Sequence, residues 1–183
     1  MFKLGIVTVL CVSTAFTQPP RTRDLKVEPT NTPAPAVGAL PPSELRWALI
    51  VGVDQYADKQ ITPLAGAAAD AHALGDALVK YAGFQPEHVV VLATDLPSER
   101  QPTKGNILVK LSNISSLLPK DGLLLFSFAG HGIERGGDAY LLPSDAKVSN
   151  DIRVVQETAV GATHIKSWIG EMGIKQVLLL LDA

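Results

Sequence analysis

Cysteine is almost missing from this sequence. Cys11 is the only one in 183 residues, and it lies in the apolar N-terminal stretch. The rest of the chain can form no disulfide, so its stability must come from an apolar core. Basic tracts are missing too. Sixteen Lys and Arg stand against 18 Asp and Glu, a net charge of −2. Without a basic stripe the chain has no grip on a phosphate backbone, which argues against a nucleic-acid partner. No P-loop occurs, and no G-x-G-x-x-G follows the first strand, where "GVDQY" stands instead. A nucleotide-binding reading therefore lacks its phosphate cradle. The four histidines do not make a metal motif such as H-E-x-x-H, which argues against a zinc enzyme. There is no internal repeat.

What is present divides the chain in three. Residues 1–17 read as a signal peptide. "MFK" is a short positive start and "LGIVTVLCVSTAF" an apolar run of about 13 residues, too short to span a bilayer comfortably. Small residues at Ala15 and Thr17 allow cleavage before Gln18, and an uncleaved anchor is the other reading. Secretion or a periplasmic location follows, with no stable membrane insertion after cleavage. Residues 18–45 are rich in Pro and Thr and read as an extended linker. Residues 46–183 form the domain, long enough and, in a chain 46% hydrophobic, apolar enough for one core.

Within the domain, apolar runs alternate with helical stripes. "RWALIVGV" (46–53), "EHVVVLA" (87–93), "DGLLLFSFA" (121–129) and "KQVLLLLDA" (175–183) read as strands. A run apolar on both faces suits a parallel strand covered on both sides. Leu64, Ala67, Ala71, Leu74, Leu78 and Tyr81 recur at helical spacing, closed by Gly83. Ile107, Leu111, Ile114 and Leu118 make a second stripe, stopped by Pro119. "GATHIKSWIGEMG" reads as a third helix, and 131–151 as a long polar excursion with the apolar island "AYLL". The expected fold class is α/β, a mostly parallel sheet with helices on both faces.

In such sheets ligands bind at the carboxyl ends of the strands. His131 falls at the end of the third strand and Asp182 at the end of the fourth. If these strands are neighbours, their ends lie about 5 Å apart. An imidazole titrates near neutral pH and can move protons there. Gly130 and Gly132 let a substrate backbone approach, and the Gly132 N–H is a candidate oxyanion donor. Acyl transfer also needs a nucleophile beside the histidine. Ser127, inside the third strand, reads as a side chain packed into the sheet.

The ordered set "RWALIVGVDQY", "LAGAAADAHAL", "LLLFSFAGHG", "AYLLPSDA" and "VLLLLDA" resembles the caspase-like cysteine peptidases, peptidase C14, and within them the bacterial metacaspase-like branch. The likeness covers about residues 46–183. It implies a caspase-like three-layer sandwich, incomplete at the C-terminus. It implies that His131 is the catalytic histidine, that Gly132 is the oxyanion-hole glycine, and that Asp182 and Ala183 precede the nucleophilic cysteine. The family places that cysteine about 50 residues after the histidine, at position 184, beyond this sequence. The likeness also implies protein or peptide substrates and no required cofactor.

Specificity is read from charge. Animal caspases cut after aspartate, using an arginine at a position that here holds Leu64. Metacaspases cut after arginine or lysine, and their acidic positions fall on Asp70 and Asp182. Two carboxylates favour a cationic side chain and reject an anionic one. Each also has a plainer reading, Asp70 as a solvent-facing helix carboxylate and Asp182 as a turn residue. The family often has Cys where Ala67 stands. Calcium is possible, with Asp138 as one ligand; acidic residues in a solvated loop are the other reading. Three functions remain open: a cysteine endopeptidase, a catalytically inactive caspase-like module that binds peptides or proteins, and an unrelated α/β binding domain.

Overall fold

The computed structural model describes residues 7–10 and 40–183. Most of the segment read as a signal peptide, and the linker as far as residue 39, lie outside them. The elements are β1 (Val7–Leu10), β2 (Arg46–Gly52), α1 (Ala67–Tyr81), β3 (Val89–Ala93), α2 (Lys104–Leu117), β4 (Leu123–Ala129), β5 (Gly132–Arg135), β6 (Asp138–Leu141), α3 (Ile152–Thr158), β7 (Val160–Gly161), α4 (Ala162–Glu171) and β8 (Gln176–Asp182).

Five strands form one sheet in the order β1-β8-β4-β2-β3, and every pairing is parallel. β2 and β4 sit in its interior, and their apolar runs are buried along nearly their whole length. On one face Ala48, Ile50 and Leu125 pack with Ala71 and Leu78 of α1. On the other, Leu49, Val51, Leu124 and Phe126 pack with Ile107, Leu111 and Ile114 of α2 and with Ile165 and Ile169 of α4. The result is three layers, α/β/α. Each fully buried aliphatic side chain of the α2 stripe contributes about 1.5–3 kcal/mol.

Four strands and the second helix lie where the hydrophobic pattern puts them. The first helix starts three residues late, at Ala67, leaving Leu64 in the preceding loop. Its N-terminus is capped from far away: the Asp54 carboxylate accepts the Ala67 N–H at 2.8 Å and the Ala68 N–H at 3.1 Å. Tyr81 is 76% exposed rather than part of the buried stripe, because the chain leaves the helix there and Phe84 packs in its place. The excursion after His131 holds more order than its polarity suggests. β5 and β6 form a hairpin about Gly136 and Gly137, both at positive φ, and β7 extends it to a small antiparallel sheet. α3, with Val155 as its one buried residue, was not expected.

β1 falls inside the segment read as a signal peptide. It pairs with β8 from Val7↔Leu178 to Leu10↔Leu181 and so covers that strand's outer edge. An uncovered edge strand presents unpaired N–H and C=O groups.

Candidate active site

β4 and β8 are neighbours, with Ala129 opposite Asp182. The expectation that these two strand ends share one rim therefore holds. The segment Ala129–Gly130–His131 is fixed there by its backbone. Ala129 C=O accepts the Val53 N–H at 2.9 Å, and the Gly130 N–H donates to the Asp182 carbonyl at 3.0 Å. Gly130 is closely surrounded: a Cβ would lie 3.0 Å from the Phe128 ring and 3.2 Å from the Tyr56 hydroxyl, and those neighbours would have to give by a few tenths of an ångström.

The imidazole is fixed as well. His131 Nε2 lies 2.8 Å from the carbonyl oxygen of Thr62, in the loop between β2 and α1. A carbonyl oxygen only accepts, so Nε2 carries the proton and Nδ1 is left as the ring's basic nitrogen. If Nδ1 takes a proton, Thr62 still accepts from Nε2. The Tyr56 ring leans on the imidazole, with centroids 5.5 Å apart at 34°. Its hydroxyl accepts the His131 backbone N–H at 2.8 Å.

Gly132 begins β5 opposite Leu141. The Leu142 N–H donates to the His131 carbonyl at 2.9 Å. Hydrogen-bonded and open pairs alternate along an antiparallel ladder, so the 132–141 pair is an open one. The Gly132 N–H thus points away from β6 rather than into the ladder. The ladder therefore does not use this donor.

Next to the imidazole lies a cleft of about 320 Å³, lined by Leu64, Asp70, His131, Asp182 and Ala183 among others. It brings together the sequence-predicted residues His131, Asp70 and Asp182. Asp70 and Asp182 also border a second hollow of about 410 Å³, between α1 and β8. Both carboxylates are exposed, and neither side chain makes a hydrogen bond or ion pair among the described residues. Asp70 stands in the first turn of α1, where the helix dipole favours negative charge.

Asp138 lies apart from the cleft, at the start of β6, where its carboxylate accepts the Thr163 hydroxyl at 3.1 Å. Calcium takes six to eight oxygens. Among the described residues no group of three or more His, Cys, Asp or Glu side chains could hold a metal ion. Asp138 and Thr163 alone supply too few oxygens to fit calcium.

Three residues that shape the cleft's surroundings escaped the sequence reading: Asp54, Tyr56 and Thr62. Asp54 and Tyr56 belong to the "DQY" that ends the first strand, and a polar cluster at a parallel strand's carboxyl end is a signal in itself. Thr62 acts through its backbone carbonyl, which no residue type announces.

Comparison with known proteins agrees with this geometry. The caspase domain of peptidase C14 matches residues 45–183. Metacaspase-1 of Yarrowia lipolytica (strain CLIB 122 / E 150) is 35% identical over 86 residues, covering 46% of this chain. The chain spans about 18% of that relative's length. With the family match extending over the whole α/β/α domain, and His131 seated at the carboxyl ends of adjacent parallel strands, this chain belongs to the caspase domain family.

Proposed function

We propose that the full-length protein is a cysteine endopeptidase that cuts after arginine or lysine, with His131 as its acid–base group. One observation carries the reading. His131 Nε2 is held on the Thr62 carbonyl, so Nδ1 is the basic nitrogen in a cleft lined by Asp70, Asp182 and Ala183. A cysteine following Ala183 would stand at that cleft. Its thiol gives a proton to Nδ1, and the thiolate attacks the carbonyl carbon of the peptide. The Gly132 N–H and the cysteine's own N–H hold the oxyanion. The imidazolium protonates the leaving amine, and water then hydrolyses the thioester with His131 as base. Asp70 and Asp182 attract the cationic side chain of the residue before the cut. The N-terminal sequence supports action outside the cytoplasm.

The second reading is an inactive caspase-like module that binds peptides in the same cleft. The codon after Ala183 in the source gene separates the two. Cysteine supports the peptidase. A residue that cannot act as a nucleophile, or a stop codon, leaves the binding module.

A further inference from the structure

Tyr56 holds an unusual position for a phenol. It is 6% exposed, at the carboxyl end of the sheet, in the loop that follows β2. Its hydroxyl accepts from the His131 N–H at 2.8 Å and donates to the Val53 carbonyl at 3.3 Å. The first bond departs from the local ladder. In a regular antiparallel pair, residues 131 and 142 would exchange both backbone bonds. Here the Leu142 N–H donates to the His131 carbonyl, but the His131 N–H turns to Tyr56 instead. That turn occurs at the one residue whose ring must reach the Thr62 carbonyl, 69 positions back in sequence.

We propose that Tyr56 is a positioning residue for His131: its hydroxyl diverts the His131 N–H from the β5–β6 ladder and thereby aims the imidazole at the Thr62 carbonyl. Without the hydroxyl, the N–H is drawn toward the ladder partner on Leu142, and the ring swings with the backbone. The tilted ring contact adds packing but cannot set this direction, because it has no donor or acceptor facing the imidazole. Burial holds the phenol above its ordinary pKa, against the opposing pull of the His131 N–H, and the Asp54 carboxylate adds to the rise. The hydroxyl is therefore protonated wherever an imidazole titrates, and its bonds do not change across that range. The proposal rests on the reading of His131 as the catalytic base.

The test replaces the hydroxyl alone, Tyr56→Phe, in this chain labelled with nitrogen-15 histidine. The readout is the His131 ring Nε2–H, which is visible by proton NMR when a hydrogen bond shields it from exchange. The native chain is expected to show this resonance. Tyr56→Phe is expected to raise its exchange rate about fivefold or more, the scale of one lost hydrogen bond. Ile107→Val, a core change outside the cleft's lining and chosen to lower the melting temperature comparably, is expected to leave it unchanged. In the full-length protein, Tyr56→Phe is expected to lower kcat about tenfold with KM within about twofold, as for a misaimed base. An unaltered ring resonance in Tyr56→Phe would overturn the proposal. So would its absence from the native chain, or an equal change in Ile107→Val. The NMR arm needs no turnover, so a full-length protein that cleaves nothing would sink the peptidase reading and leave Tyr56 judged on its own.

Discussion

Four aspartates, two in the loop after β2 and two lining the cleft with His131, form pairs with opposite surroundings. Asp54 and Asp58 leave β2 and turn their carboxylates onto backbone N–H groups. Asp54 holds the start of α1, and Asp58 accepts the N–H of Gln60 and of Val148 at 3.0 Å each. Asp70 and Asp182 line the cleft, and their carboxylates bond to nothing among the described residues. The first pair holds the loop that presents the Thr62 carbonyl. The second keeps its charge without a partner among the described residues. A carboxylate already paired with backbone donors has little attraction left for a substrate cation, whereas an unpaired one keeps it. Partners, more than position in the sequence, separate an acid tied to the backbone from one with its charge unpaired here.

The comparison breaks most sharply if the cleft pair is neutralised. Asp70→Asn with Asp182→Asn should lower kcat/KM for arginine substrates of the full-length protein about a hundredfold or more. This is the loss expected for two charge-assisted contacts. The same double change should move the unfolding free energy by less than about 0.5 kcal/mol, as for surface substitutions without partners. Urea denaturation beside the kinetics checks both halves. A large stability loss would place these two acids with the structural pair.

Asp54→Ala should do the reverse. It strips two backbone donors at the start of α1 of a charged acceptor, at a cost of about 2 kcal/mol. For a chain of this size the melting temperature should fall by several degrees, about 4–8 °C. Loss of the cap also frees the loop bearing Thr62, so the shielded His131 ring proton should exchange faster. A melting temperature within a degree of the native value would mean that Asp54 does not hold the helix.

The smallest effect belongs to Asp58 and shows itself through pH. The N–H groups of Gln60 and then Val148 hold its carboxyl below the usual range, against a smaller contribution from desolvation, with Lys147 assisting. Its folded pKa is thus depressed relative to the unfolded chain. Its contribution to stability is fully present above the unfolded value near 3.9 and disappears as pH falls through the lower folded value. Between about pH 5 and pH 3, native stability should decline more steeply than that of Asp58→Asn. Parallel declines would show that Asp58 does not tie its loop to Val148.

Much of the fold was legible because its strands are unbroken apolar runs. β2, β4 and β8 announce themselves, and Ile107, Leu111 and Ile114 fix the buried side of α2. What was missed is short or held from a distance. α3 buries only Val155, too little for a periodic signal. The β5–β6 hairpin has four-residue strands, and its first strand alternates exposed and half-buried residues. The start of α1 was misplaced because its cap comes from Asp54, 13 residues upstream, whereas the residue at the cap itself is Gly66. His131, Asp70 and Asp182, which residue type and the family likeness single out, do lie together in one cleft. Thr62 could not be singled out, since every residue carries a carbonyl and only the folded loop brings this one to the imidazole.

The most direct test of the central claim is a comparison of peptide substrates that differ only at the residue before the cut. Arginine, lysine and aspartate would be offered in turn to the full-length protein and to its His131→Ala variant. Hydrolysis after arginine and lysine but not aspartate, lost in the variant, is the result predicted. Cleavage after aspartate, or no cleavage by a protein shown to be folded, would contradict it.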